Sequence, residues 1–469
     1  MIKKRLTALL LSFVLLISGA TVSTAAEETQ NNLAVTNGCH SIDAAMSFLG
    51  QDKLIDNAQS VFVFETGSQT LMYAWNADMP MYPASLVKIM TSLLVLEKGS
   101  LTDVVTVSQT ALDAVSADAV SVDLQAGESL SVEDLLYCTI VYSANDAAAV
   151  LAEYIAGSQS AFVDLMNNRA AELGCTGTTY TNAHGLHNEL QVTTARDTCR
   201  ILQAALEHEF FRTAFGCVHY TVPATNMHEE RRLSTNNYLM NTDEVAIHYD
   251  GRVTGGRAGT TADGYRCIAS TSTSGNMELI CVVMGSKSVY WEDTYSVSSY
   301  GGFPETSKLL DLAFSGYSRQ QIIFENQILR QQTVLNGDCD VFAASYQSFS
   351  TVLPADISFD QLSFRYSDAP GSSQAPIRKG QNLAALQVWY GSMCVAQTDV
   401  YAMNDVPVAY VKTAQTSEEG ASGLGWWWVL IVVASLAVIG FAAVMVLRVA
   451  STVKAKNRKR RHTKKRRRH

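Results

Sequence analysis

The chain has nine cysteines but no Cys-x-x-Cys pair, no His-Glu-x-x-His segment and no other tight set of metal-binding side chains. Those absences argue against zinc and thioredoxin-type chemistry, so neither a metal nor a cofactor is expected. The odd cysteine count leaves at least one thiol unpaired within the chain. Cys267 and Cys281 fall on neighbouring predicted strands, which does not by itself establish a pair. No internal repeat is visible. Acidic residues are missing from both ends: none occurs in the first 25 residues or from Arg448 onward. The formal net charge of −9 therefore conceals an asymmetry. Twelve Lys/Arg crowd the segment from Arg448 to His469, three open the chain, and the twenty between them face all 44 acids. So acidic a body should not bind nucleic acid.

Charge is also absent from Trp426 to Leu447, a run of 22 residues. As a helix it would span about 33 Å, enough to cross a bilayer core. Three tryptophans open it, as at a membrane interface, and the basic tail of residues 448–469 follows directly. The positive-inside rule puts that tail in the cytoplasm and the body outside. Residues 413–425, rich in Ser, Thr, Glu and Gly, read as a flexible spacer. At the other end, Lys3, Lys4 and Arg5 precede a short apolar run from Leu9 to Ile17 and small residues up to Ser23-Thr24-Ala25. Residues 1–25 thus read as a signal peptide. An exported, single-pass membrane protein is expected, in a compartment that permits disulfides.

Between these ends the pattern is that of a folded body. Val61–Glu65 and Leu71–Trp75 predict a hairpin across Thr66-Gly67-Ser68-Gln69. Pro83 precedes a helical run from Ser85 to Lys98 that is apolar on nearly all faces, which predicts a central, buried helix. Further helices are predicted over Val132–Val141 and Ala144–Ile155, then two strands over Arg266–Thr271 and Met277–Met284. Strands at both ends of a helical middle suggest one sheet closed by distant segments. From about residue 320 to 412 short strands and turns predict a separate β domain.

The chemistry centres on Ser85. Ser85 and Lys88 are three apart and share a helix face. A serine hydroxyl needs a base, and a buried lysine with a lowered pKa can serve. Ser-x-x-Lys alone is a weak signal, carried equally by a capped helix with a surface lysine; what changes its meaning is a lysine on a helix otherwise nearly all apolar. A second polar cluster, Ser143-Ala144-Asn145, follows the apolar segment Leu135–Val141. It reads either as the cap of the next helix or as a proton relay (Ser143) with a substrate contact (Asn145). His184 and Asp197 read as structural: no Gly-x-Ser-x-Gly surrounds Ser85, and Lys88 already supplies a base.

These motifs in order resemble the serine-type D-Ala-D-Ala carboxypeptidases, the low-molecular-weight penicillin-binding proteins. Pro83-Ala84-Ser85-Leu86-Val87-Lys88-Ile89-Met90-Thr91 is close to that family's nucleophile segment, and Tyr142-Ser143-Ala144-Asn145-Asp146 to its second motif. Glu172-Leu173-Gly174, Asn182-Ala183-His184-Gly185-Leu186 and Thr193-Thr194-Ala195-Arg196-Asp197 continue the series, and Ala375-Pro376-Ile377-Arg378-Lys379-Gly380 is similar to the β domain that follows these peptidases. The third motif departs from the pattern. Where Lys-Thr-Gly is expected the chain has Arg257-Ala258-Gly259-Thr260-Thr261, with Val253-Thr254-Gly255 as a rival placement.

The resemblance implies an α/β fold: a β-lactamase/transpeptidase-like helix–antiparallel sheet–helix sandwich over residues 45–315, then the small all-β domain and one C-terminal transmembrane helix. It implies that Ser85, Lys88 and Ser143 are catalytic, that Asn145, Arg257, Gly259, Thr260 and Thr261 bind substrate, and that the partners are peptidoglycan stem peptides and β-lactams. Arg257 would meet the substrate's terminal carboxylate, while Ala258 lacks the hydroxyl of the usual threonine. Two other readings stand beside this one. A catalytically weak peptidoglycan-recognition protein would tolerate the altered motif. A class A β-lactamase would need a Glu-x-x-Leu-Asn segment, which is absent.

Overall fold

A computed structural model describes residues 41–243, 245–290, 297–410 and 425–464. The predicted signal peptide, most of the spacer and the last five residues of the basic tail lie outside these. The chain divides into two units, residues 1–408 and 409–469.

The first unit is built on a five-stranded antiparallel sheet. Its strands are β1 (Ser60–Glu65), β2 (Thr70–Trp75), β3 (Val253–Thr260), β4 (Tyr265–Ser274) and β5 (Met277–Lys287), in the order β2-β1-β5-β4-β3. The N-terminal strand β1 therefore pairs with β5, some two hundred residues later, as the predicted closure by distant segments requires, while β2 forms the edge. The predicted hairpin spans β1 and β2, and Gly275 at φ +58° turns β4 into β5. All six residues of β1 are buried, because both faces of the sheet are covered. Phe62 and Phe64 face the helices α1 (Val87–Lys98), α2 (Val132–Tyr137), α3 (Asn145–Ala156), α4 (Gln159–Glu172) and α5 (Ala195–Ala205). Val61 and Val63 face the other way, toward Leu309 and Leu310 of α6 (Phe303–Ser315). The result is helices, sheet, helix in three layers.

Helix α1 sits at the centre of the larger core. Nine of its twelve residues are buried, including Ile89, Met90, Leu93 and Leu94, each contributing roughly 1.5–3 kcal/mol relative to exposure. The structure differs from the sequence reading at two helix ends. Ser85 does not lie in an α-helical first turn. It occupies a tight 3₁₀ turn, Ala84–Leu86, that leads into α1. Helix α2 stops at Tyr137 and widens into a π turn over Cys138–Tyr142, because Ser143 adopts the left-handed conformation at φ +73°.

Residues after α6 form an all-β domain. Strands β6 (Tyr317–Ile323) and β9 (Phe349–Pro354) make a ribbon. A five-stranded sheet of β7 (Ile328–Gln332), β8 (Val341–Ala344), β10 (Leu362–Asp368), β11 (Asn382–Tyr390) and β12 (Met393–Ala402) runs in the order β7-β8-β12-β11-β10. Cys267 and Cys281 do lie on adjacent strands, but no disulfide joins them.

Among its described residues the second unit contains one helix, α7 (Gly425–Lys464). Val429–Val449 within it is long and apolar enough to cross a membrane, with mean hydropathy 2.9 and none of it buried against protein. The helix continues past that span through the first residues of the basic tail.

Candidate active site

Strained backbone brings the chemistry together. Ala84, just before Ser85, has φ +48°, and Ser143 has φ +73°. Non-glycine residues in this region carry a cost of order 1–3 kcal/mol each, and such strain collects at functional sites. The turn before Ser85 is wedged from outside by Gly185, at φ +91°, where any Cβ would overlap the Ala84 carbonyl oxygen. Gly185 is held in turn by Asn182, whose Oδ1 accepts from the Gly185 amide at 2.7 Å.

Ser85 is half-buried, and its Oγ accepts two hydrogen bonds. Lys88 Nζ donates at 3.5 Å and the Ser143 hydroxyl at 3.0 Å. Lys88 is 1% exposed. Its ammonium also donates to Asn145 Oδ1 at 2.8 Å and to the His184 carbonyl at 2.5 Å. Burial, and then the positive charge of Arg257, push the Lys88 pKa well below its ordinary value, against an opposing pull from Asp146. Asp146 is buried beneath the loop of residues 121–124, accepting from the Ser121 hydroxyl and from the Val122 and Leu124 amides.

The strand wall of the site is β3. Gly259 lies directly against the nucleophile: a Cβ there would approach the Ser85 nitrogen to 2.6 Å. Gly259 is thus the glycine of β3 that meets Ser85, whereas the upstream Gly255 meets Phe215 and Thr271. Arg257 shares the Gly259 face and is 1% exposed. Its guanidinium donates to the carbonyls of Ile140 (2.6 Å) and Val141 (3.3 Å), and to Asn236 Oδ1 (2.9 Å). Burial pushes its pKa down to about 9.

Several side chains sit elsewhere than their letters implied. Asn145 is 5% exposed, and both ends of its amide are used inside the protein: Oδ1 holds Lys88 and Nδ2 donates to the Val120 carbonyl at 2.9 Å. Both of these hydrogen bonds are made inside the protein, one of them to Lys88. The fork of Arg257 is likewise occupied inside the protein, one prong on the turn that leads to Ser143 and the other on Asn236. Ala258 points to the other face of the sheet, fully buried in a cluster with Leu239, Ile268 and Phe303. A hydroxyl there would meet apolar side chains, not the site. Thr260 is exposed and Thr261 partly so. The His184 carbonyl serves Lys88, while burial and then the Lys88 charge lower its imidazole pKa to about 4. Asp197 braces the Gly177 amide and Arg200, away from the nucleophile.

A cleft of about 230 Å³ opens beside this group. Thr260, Thr261 and Ala262 form one wall, Tyr82, Pro83 and Ala84 the base of another, and Gly185–Asn188 with Gln191 the rest. Tyr82 and His187 meet edge to face with centroids 4.8 Å apart. Among the described residues no group of three or more His, Cys, Asp or Glu is placed to hold a metal ion.

This geometry meets the same family that the motifs resemble. A family model described as D-alanyl-D-alanine carboxypeptidase matches residues 50–288. The chain belongs to the D-alanyl-D-alanine carboxypeptidase family. A second match, to the C-terminal domain of penicillin-binding protein 5, covers residues 317–408. The chain is 31% identical over 360 residues to the D-alanyl-D-alanine carboxypeptidase DacA of Haemophilus influenzae, covering 74% of this chain and 85% of that protein. It is 32% identical over 363 residues to DacC of Escherichia coli, covering 75% of this chain and 84% of that one. Among solved structures, penicillin-binding protein 5 of H. influenzae superposes with a TM-score of 0.61 at 27% identity, over 76% of this chain and all of that one.

The three motifs contain Ser85, Lys88 and Ser143, which the structure brings together. They do not mark out Gly185, Asp146, Asn236 or the Tyr82–His187 pair. Gly185 carried a signal in the segment Asn182-Ala183-His184-Gly185-Leu186; Asn236 carried none.

Proposed function

We propose that this peptidase removes the terminal D-alanine of peptidoglycan stem pentapeptides through an acyl-enzyme on Ser85. The carrying observation is the double hydrogen bond to Ser85 Oγ from Lys88 and Ser143 at the edge of a cleft. Lys88, stripped of water and facing the Arg257 charge, takes the proton of Ser85. Ser85 attacks the carbonyl between the two terminal D-alanines. The backbone N–H groups of Ser85 and Thr260, brought close by Gly259, hold the oxyanion. Ser143 passes the proton to the amine of the leaving D-alanine, and water then hydrolyses the ester. The acyl part of the peptide lies in the cleft lined by Thr260, Thr261 and Tyr82. A β-lactam follows the same path and remains as an adduct on Ser85.

The body works outside the cell, on the reading that α7 crosses the membrane and that the basic tail stays in the cytoplasm. Two experiments test the proposal. Purified protein should release D-alanine steadily from a pentapeptide, and Ser85→Ala should not; absence of release by the wild type would overturn the activity. Protease added to spheroplasts should digest the body and spare a tag fused beyond His469; a protected body would overturn the topology.

A further inference from the structure

Behind the strand wall of the site lies a residue with no place in the three motifs. Asn236 follows the strand Arg231–Ser234 and is itself exposed, yet its Oδ1 accepts from the buried Arg257 guanidinium at 2.9 Å. Among the described residues it is the one side chain that bonds to Arg257; the other acceptors, in Ile140, Val141 and Ala258, are main-chain carbonyls. A lysine has a single terminal nitrogen. The guanidinium at this position has a fork, and its second prong needs an acceptor that the carbonyls of the Cys138–Tyr142 turn do not supply.

We infer that Asn236 is a positioning residue for the reaction, holding the Arg257 charge beside the Ser85–Lys88–Ser143 group. The inference rests on the proposed role of Lys88 as base. The charged and titratable groups around Lys88 come from three directions. Arg257 on β3 opposes its protonation, Asp146 on α3 favours it, and the His184 imidazole is held neutral across the physiological range. Asn236 acts on the first of these. With its neutral carbonyl in place, Arg257 keeps its full charge and a fixed distance from Lys88. A carboxylate in the same position would neutralise that charge, and water in its place would screen it. Either change lets Lys88 hold its proton to higher pH.

The test is the pH profile of Ser85 acylation by a fluorescent penicillin, measured on the full-length protein alongside its melting temperature. The wild-type rate should fall on the acid side as Lys88 gains its proton. Asn236→Asp should move that acid limb upward by about one pH unit, a roughly tenfold loss of rate below the limb. Asn236→Ala should move it the same way by less. A residue with a merely structural role would lower the rate at every pH and leave the limb in place. An unmoved limb in either variant, with a wild-type melting temperature, would overturn the inference and leave the role of Lys88 standing. A wild-type profile without an acid limb would overturn both.

Discussion

The two walls of the site are built on different principles. The helical wall, from Ser85 through Lys88 to Ser143 and Asn145, places its groups by strained backbone and by contacts made deep in the protein. The strand wall, from Arg257 to Thr261, contributes mostly what it lacks or what it does at a distance. Gly259 has no side chain where Ser85 must pass, and Arg257 supplies charge from behind the turn that carries Ser143. The contrast shows why substitution falls where it does. The helical wall keeps the residues the chemistry names. The strand wall carries Arg257-Ala258 in place of Lys-Thr, and the exchange is absorbed by an internal charge and by a small apolar cluster.

That contrast can be broken most sharply at Lys88. Lys88→Ala removes the proposed base and leaves Asn145 Oδ1 and the His184 carbonyl without their donor. Acylation should fall on the order of 10³- to 10⁴-fold with the fold retained, as read by penicillin labelling and circular dichroism. A loss under tenfold would move the base elsewhere.

On the strand wall the largest expected effect is steric. Gly259→Ala puts a methyl group 2.6 Å from the Ser85 nitrogen, so β3 must back away from the nucleophile and from the oxyanion. A displacement of that kind should cost about 10²-fold in kcat/KM. Full activity in this variant would mean that β3 does not form the wall described.

Arg257→Ala comes next, and it tests charge. The main-chain carbonyls of Ile140 and Val141 lose their donor, and Lys88 loses the neighbour that opposes its protonation. Lys88 would then hold its proton to higher pH, so the acid limb of kcat/KM should move upward and turnover near neutrality should fall roughly tenfold or more. Arg257→Lys should restore most of the loss. An unchanged limb in Arg257→Ala would remove Arg257 from the account.

The smallest effect is expected at Ala258. Restoring the family's threonine would sharpen an active site if the side chain faced the cleft. Buried beside Ile268 and Phe303, it should instead cost about 1–3 kcal/mol of stability through overpacking and leave kcat/KM unimproved. Thermal melts with steady-state kinetics would check this; a several-fold gain in kcat/KM would reopen the orientation of β3.

Much of the fold was legible in the letters. Alternating and continuous apolar runs marked β1, β2, β4 and β5, and the all-round apolar helix marked the centre of the core. Ser85, Lys88 and Ser143 were legible for the same reason: a polar residue in an apolar run needs an explanation. What the letters hid was direction. Nothing in Cys138–Tyr142 announces a π turn, and the left-handed backbone at Ala84 and Ser143 is imposed by tertiary packing against residue preference. Arg257 and Ala258 are neighbours in sequence, but a strand sends them to opposite faces. That is why one serves the site and the other a hydrophobic cluster. The letters around Asn145 did not show which groups its amide meets; the positions of Lys88 and Val120 do.

The central claim is that Ser85 is the residue acylated. Mass spectrometry of the peptides from penicillin-treated protein tests it most directly. The account predicts a single adduct on the peptide containing Ser85, lost in Ser85→Ala. An adduct mapped to Ser143, or one that survives Ser85→Ala, would contradict it.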